Sequence, residues 1–184
     1  MPRLIAFLRA INVGGHVVTM DELRRHFDAL GFADVETFIA SGNVIFSSRS
    51  QQVPALEQKI EARLRKALGY EVRTFIRTEA EVAAIVRYRP FQESQIRNAG
   101  ALNVGFLAEP LGTARTRVLM KLKTAIDDFH VNGREMYWWC RKRQSESTFS
   151  NALFERTLKV STTFRGVSTI VRLSAKYGFS PEAV

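Results

Sequence analysis

Residues 3–15 read RLIAFLRAINVGG, and this stretch decides the fold. Leu4–Leu8 is continuously apolar, a pattern that is typical of a buried strand. Alternate side chains of a strand lie on opposite faces of its sheet, and Ile5 and Phe7 are as apolar as their neighbours. We therefore expect both faces to be covered, one by helices of the same lobe and the other by a second lobe or another subunit.

Helix caps and apolar periodicity extend this strand to a β-α-β-β-α-β order over residues 3–77. Thr19-Met20-Asp21-Glu22 is a capping box and predicts the start of a helix that ends before Gly31. The remaining predicted elements are strands at 35–39, 44–47 and 71–76 and a helix from Pro54 to Leu68. This order is the ferredoxin-like pattern, in which the third strand lies between the first and the second.

The second half of the chain repeats this order less completely. The predicted elements are a strand at 102–107, a helix at 113–123, a hairpin of 126–131 and 134–141 around Asn132-Gly133, and helices at 152–158 and 167–177. No clear final strand follows the hairpin. We therefore predict an α+β protein of two packed ferredoxin-like lobes, at 1–89 and 90–184, with the second lobe degenerate. A single domain over 1–184 is the alternative division.

Composition bounds the class of protein. The chain has 184 residues, 46% apolar and 24% charged, which excludes a disordered or fibrous protein. The single cysteine, Cys140, excludes an intramolecular disulfide and suits a reducing cytoplasm. The apolar run near the N-terminus is too short for a signal peptide or a spanning helix. We expect a soluble cytoplasmic protein that does not enter a membrane.

The loop after the first strand and the Ser41-Gly42-Asn43 turn are predicted to lie at the same end of the sheet. Together they form a candidate ligand-binding site of Arg9, Asn12, Gly14, Gly15, His16, Ser41 and Asn43, approached by Arg165 from the start of the last helix. A guanidinium, carboxamides and flexible backbone N–H groups suit phosphate, a carboxylate or a nucleotide fragment. The same glycines also suit an ordinary tight turn, so both interpretations stay open.

No stretch carries a specific catalytic motif. The glycines fit neither a P-loop nor a dinucleotide-binding fingerprint. Ser41 and His16 lack the orienting partner that acyl transfer needs. Because the three histidines are isolated from other metal-ligating residues, we predict no metal site and no cofactor. Whether the protein is an enzyme stays open.

The net charge of +9 suggests a second class of function, nucleic-acid binding. Residues 141–176 hold eight basic and two acidic residues. In the predicted hairpin, Tyr137 lies opposite Asp128 and Trp139 opposite Ile126, on the face that Arg141 extends. Aromatic side chains beside arginines can stack bases, although such a face can equally pack on a neighbouring element. A third alternative is a homo-oligomeric interaction protein that uses an uncovered sheet face.

Two motifs carry a resemblance to a known family. Residues 7–15, FLRAINVGG, followed by 37–46, TFIASGNVIF, closely resemble a bacterial family called domain of unknown function 1697, and 163–170, TFRGVSTI, is also similar. The resemblance implies two ferredoxin-like lobes and no established activity, and it assigns no catalytic residues. Ala10, Gly166 and Ser168 depart from the glycine and the two asparagines that are usual in the family. The last two departures weaken any claim that the C-terminal motif binds the usual ligand.

Overall fold

A computed structural model describes residues 1–12, 14–39 and 42–179. The contacts within the chain divide it into two units. The first unit is Met1–Ala84 together with the segment that starts at Leu173, and the second is Ile85–Arg172.

The first unit has the predicted β-α-β-β-α-β order. Its elements are β1 (Arg3–Leu8), α1 (Met20–Asp28), β2 (Ala33–Thr37), β3 (Asn43–Ser47), α2 (Val53–Leu68) and β4 (Thr74–Thr78). The antiparallel sheet has the order β2-β3-β1-β4, so the third strand lies between the first and the second, as predicted. The fourth strand begins at Thr74, three residues later than the sequence predicts.

Reciprocal hydrogen bonds begin α1 at Thr19, where the sequence places it, and also begin one further helix. The Thr19 hydroxyl accepts from the Glu22 amide at 3.2 Å, and the Glu22 carboxylate accepts from the Thr19 amide at 2.9 Å. Thr78 and Glu81 repeat the same exchange at the start of α3 (Glu79–Arg87). Reciprocal bonds of this kind satisfy amides that have no partner within the helix.

The sheet of the first unit is buried on both faces, as expected. On the helix side, the ring of Phe46 lies 5.4 Å from that of Phe27 and 4.5 Å from that of Phe32, centroid to centroid. On the other side, Ile5 and Phe7 are completely buried. Burying each large apolar side chain contributes about 1.5–3 kcal/mol to folding, so both faces hold the sheet in place.

The second unit contains its own four-stranded sheet. Its elements are α4 (Glu93–Arg97), β5 (Ala101–Phe106), α5 (Gly112–Met120), β6 (Asp127–Asn132), β7 (Glu135–Cys140), α6 (Asn151–Leu158), β8 (Thr163–Gly166) and the first part of α7 (Val167–Tyr177). The strand order is β6-β7-β5-β8, which matches the order in the first unit.

The prediction that the second half lacks its final strand is wrong. β8 pairs antiparallel with β5, Arg165 lying opposite Val104. The strand is four residues long, contains an arginine and a glycine, and runs into α7 without a turn. Its sequence therefore shows no apolar alternation, and only the pairing with β5 makes it a strand.

The predicted hairpin is present with a different register. The two residues at its tip are Gly133 and Arg134, so Asn132 stays in the strand opposite Glu135. Gly133 has φ +57°, which suits the first central position of a type II′ turn. The pairing is displaced from the predicted one, and Trp139 lies opposite Asp128 rather than Ile126.

A buried carboxylate organises the core of the second unit. Asp127 is 2% exposed, and its carboxylate accepts hydrogen bonds from the Trp138 indole at 2.8 Å and the Thr124 hydroxyl at 2.7 Å. The Ser147 hydroxyl donates to it as well, at 2.8 Å. These bonds compensate for burial of the carboxylate, which is costly for a charged group without partners. Asp127 is therefore a structural residue.

The loop after β1 meets the connection between β2 and β3. The Leu8 amide donates to the Gly42 carbonyl at 2.8 Å. A Cβ atom at Gly42 would lie only 2.8 Å from Ile11 Cγ2 and 3.1 Å from Leu8 Cβ. Gly42 also has φ +72°, which favours glycine, so both the space and the backbone require this residue.

We expect Gly42→Ala to lower the free energy of unfolding by about 2–4 kcal/mol, because it adds overpacking to left-handed backbone strain. Gly31→Ala is the matched control, since Gly31 has φ +80° but no atom within 4 Å of an added Cβ. The control should lose only about 1–2 kcal/mol. Urea denaturation measures both values, and equal losses would contradict the tight contact at Gly42.

His26 gives the first unit a pH dependence. Burial, together with nearby Arg63, lowers the pKa of His26 below its ordinary value of 6.5. Its Nδ1 atom is buried without a hydrogen-bond partner in the described residues. The folded state therefore disfavours the charged imidazole.

Because the unfolded chain takes up this proton more readily, stability should fall as the pH drops below about 6.5. In His26→Gln the melting temperature should decline less over that range than in the parent. Thermal denaturation between neutral and mildly acidic pH measures the difference. An identical pH profile in the two proteins would show that His26 does not contribute.

Candidate functional site

The loop after β1 adopts a left-handed backbone at three described positions. Ala10 and Gly14 both have φ +62°, and Gly15 has φ +83°. The conformation costs a residue with a Cβ atom, such as Ala10, about 1–2 kcal/mol. Gly14 and Gly15 are exposed, and the loop therefore presents bare backbone at the end of the sheet.

Asn12 holds the two ends of this loop together. Its side-chain oxygen accepts a hydrogen bond from the Val18 amide at 2.8 Å. The oxygen that the sequence offers to a ligand is therefore engaged in holding the loop.

Asn43 has a similar structural role at the neighbouring turn. It is completely buried, and its side-chain nitrogen donates to the Phe38 carbonyl at 3.0 Å. The Phe38 amide in turn donates to the Asn43 carbonyl at 2.9 Å. These bonds join the ends of β2 and β3, so the carboxamide holds the turn. Ser41, the remaining predicted residue of the turn, lies outside the described residues.

Tyr70 fastens the loop to the connection between α2 and β4. Its hydroxyl donates to the Ile11 carbonyl at 2.7 Å, and its ring stacks on the His16 imidazole with the centroids 4.3 Å apart. Burial raises the pKa of Tyr70, so the hydroxyl remains a donor at neutral pH. Tyr70 was not among the predicted residues, because only the tertiary structure brings it to this loop.

The backbones of two arginines pair where the loop begins. The Arg9 amide donates to the Arg73 carbonyl at 2.8 Å, which continues the pairing of β1 with β4 beyond Leu8. Arg73 was not among the predicted residues, because only the strand pairing brings it to this place. Its guanidinium lies 3.2 Å from the Glu61 carboxylate of α2. We call residues 9–12 and 14–18 with Gly42, Asn43, Tyr70 and Arg73 the loop corner.

A cavity of about 600 Å³ shares Arg73 with the loop corner. Its charged lining residues are Glu61, Arg65, Lys66, Glu71 and Arg73. Arg65 and Lys66 are exposed, so this side of the first unit carries further basic groups.

The start of α1 already carries negative charge from the chain itself. The Glu22 carboxylate accepts from both the amide and the hydroxyl of Thr19, at 2.9 Å each. Asp21 lies in the same first turn and pairs with Arg24. Two carboxylates of the chain therefore already occupy the positive end of the helix.

Arg165 lies on β8, not at the start of the last helix. It is 8% exposed, and its guanidinium donates to the Thr163 hydroxyl at 2.8 Å and to the Phe164 carbonyl at 2.9 Å. Burial lowers its pKa to about 10, so the group is still charged at neutral pH. These bonds lie within its own strand and indicate a structural role.

The aromatic residues of the hairpin are not available for stacking on bases. Tyr137 is 2% exposed and Trp139 is 9% exposed. The Trp139 indole donates to the Gln95 carbonyl of α4 at 2.6 Å. The five-residue helix α4 shows no periodic pattern in the sequence, so its contact with this face was not predicted. Arg141, by contrast, is exposed. Of the features that suggested nucleic-acid binding, the exposed positive charge is present and the exposed aromatic residues are not.

Within the described residues, no group of three or more His, Cys, Asp or Glu side chains is arranged to hold a metal ion. The helices of the described part of the chain are all too short or too polar to cross a membrane.

The fold is similar to a solved structure. A conserved bacterial protein from Streptococcus pneumoniae matches with a TM-score of 0.70 and 22% sequence identity, over 97% of this chain and 99% of that one. At this identity the similarity concerns the fold alone. Among curated proteins, none matches this chain. The model of the family described as "Protein of unknown function (DUF1697)" matches residues 1–137, and the chain belongs to that family.

Proposed function

We propose that the protein binds a small anionic ligand, such as a phosphate-bearing metabolite, at the loop corner. The observation that carries the proposal is the backbone pairing of Arg9 with Arg73 at the start of the loop that holds the exposed Gly14 and Gly15. The proposed ligand places its anionic group between the two guanidinium groups.

The strand pairing supports this arrangement. Residues opposite each other in an antiparallel pair have their Cα atoms only about 5 Å apart, so Arg9 and Arg73 bring two cations to one end of the sheet. Guanidinium groups bind phosphate oxygens through two parallel hydrogen bonds. The Arg73 side chain is 46% exposed, so its ion pair with Glu61 is open to exchange for a ligand.

The loop is also preorganised. Asn12 closes it through the Val18 amide, and Tyr70 ties it to the following segment through the Ile11 carbonyl. A loop that is ordered before binding loses less conformational entropy when the ligand arrives. This advantage depends on two hydrogen bonds between side chains and the backbone, and it does not need the buried Asn43 side chain as a ligand.

The proposal is for binding and includes no reaction. His16 stacks on the ring of Tyr70. We further infer that each unit is a ferredoxin-like fold, because both share one strand order. The proposed setting is the bacterial cytoplasm, which suits a single buried cysteine.

Inorganic pyrophosphate should raise the melting temperature of the parent by about 3–6 °C when it is present at roughly ten times its dissociation constant. Arg9→Gln combined with Arg73→Gln should abolish the shift. Arg24→Gln combined with Arg49→Gln is the matched control, because it removes two exposed positive charges from the same unit outside the loop corner. Differential scanning calorimetry measures the three proteins.

Isothermal titration of the folded proteins provides the second measurement, so that a change in stability is not mistaken for a change in binding. An equal loss in both double variants would assign the effect to general charge and overturn the site. A parent protein that neither pyrophosphate nor phosphate stabilises would overturn the function.

A further inference from the structure

An apolar cavity of about 200 Å³ lies in the second unit and is lined only by residues of that unit. Leu102 of β5 and Tyr137 of β7 belong to its sheet side. Ile85, Tyr88, Phe91 and Val171 are among its other lining residues. This cavity is separate from the loop corner and serves no role in the proposed function.

The aromatic wall of the cavity is fixed by contacts within the unit. The rings of Tyr88 and Tyr137 lie 5.2 Å apart, centroid to centroid. The Tyr88 hydroxyl is hydrogen-bonded to the His130 Nε2 atom at 2.8 Å. Because the Tyr88 hydroxyl already has a partner, Tyr88 offers the apolar surface of its ring to a ligand.

The rim of the cavity is accessible. Val171 lines it and is 41% exposed, which is high for a branched aliphatic side chain. Covering that side chain would add to the free energy of binding an apolar group.

A second cavity, of about 410 Å³, adjoins the first and gives it a polar end. The two cavities share Arg89, Phe91 and Ile96, and the second is also lined by Glu93 and Arg97. Two arginines and one glutamate leave this end with a net positive charge. The ligand that matches both parts has an apolar body and an anionic group.

Arg89 is held in place with donors to spare. Its Nη1 atom donates to the Val86 carbonyl at 2.6 Å and to the Tyr88 carbonyl at 3.1 Å. Both bonds use the same nitrogen, so Nε and Nη2 make no hydrogen bond within the described residues. A guanidinium anchored through one nitrogen presents its other donors in a fixed geometry, which suits a carboxylate.

From these features we propose that the second unit binds an amphiphilic carboxylate. Its acyl or aryl body occupies the apolar cavity beside Tyr137, and its carboxylate accepts hydrogen bonds from Arg89. Arg97, which is 3.4 Å from Glu93 and largely exposed, adds positive charge at the same end. The volume of the apolar part limits the body to a medium chain or a single ring.

Titration of the full-length protein with sodium octanoate tests the proposal, with 1-octanol as the uncharged probe of the same length. Octanoate should bind with a dissociation constant of about 1 mM or below, the range expected of a ligand this small. Arg89→Gln should weaken octanoate about tenfold and leave octanol unchanged, because a charge-assisted hydrogen bond is lost. Arg89→Lys, which keeps the charge, should recover part of the loss.

Val171→Trp should block the apolar cavity and weaken both probes at least about tenfold. Val118→Trp is the matched control, since Val118 is a valine of the same unit that is 37% exposed and does not line the cavity. Binding of both probes should survive in this control. Nuclear magnetic resonance spectra of each variant confirm that it is folded.

No binding of octanoate to the parent would overturn the proposal. Equal binding of octanoate and octanol, with no effect of Arg89→Gln, would overturn the assignment of the carboxylate to Arg89. Equal effects of the two tryptophan substitutions would overturn the location. Pyrophosphate binding at the loop corner is read in a separate titration and is unaffected by any of these results.

Discussion

The hydrogen bond from the Leu8 amide to the Gly42 carbonyl is the constraint on which the loop corner depends. It joins the end of β1 to the connection between β2 and β3. This close approach requires glycine at position 42, because a Cβ atom there would clash with Ile11. The backbone that follows is then committed to left-handed conformations at Ala10 and Gly14. Backbone strain of this kind persists only where the surrounding structure fixes it, as it does here.

The polar residues of the loop corner have two different roles. Asn12 and Asn43 satisfy backbone groups, and so they build the corner. Arg9 and Arg73 add positive charge to the loop corner, whose backbone these hydrogen bonds already hold in place. The sequence does not show whether a carboxamide in a glycine-rich loop bonds to the backbone or binds a ligand, because its donor and acceptor suit both roles. Only the geometry of the nearest amide decides.

Features determined by neighbouring residues could be predicted from the sequence. The capping box at Thr19 and the end of α2 before Gly69 rest on contacts within a few residues, and the structure confirms them. The order of the strands in the first unit could also be predicted, because the handedness of crossover connections leaves few arrangements for a β-α-β-β-α-β order.

Features that depend on distant partners were missed. β8 is a strand only through β5, and α4 is a five-residue helix on the face that holds Trp139. The place of Arg73 in the loop corner depends on pairing between strands that are far apart in the chain. Short elements and cross-strand neighbours carry too few residues for a periodic pattern, so packing decides them.

Amide hydrogen exchange, followed residue by residue by nuclear magnetic resonance, tests most directly whether the loop corner is a fixed frame. The Leu8 and Arg9 amides, which donate to Gly42 and Arg73, should exchange about a hundredfold more slowly than the exposed amide of Gly15. Exchange of the Leu8 amide as fast as that of Gly15 would contradict the account, because the loop and the turn would then not be held together.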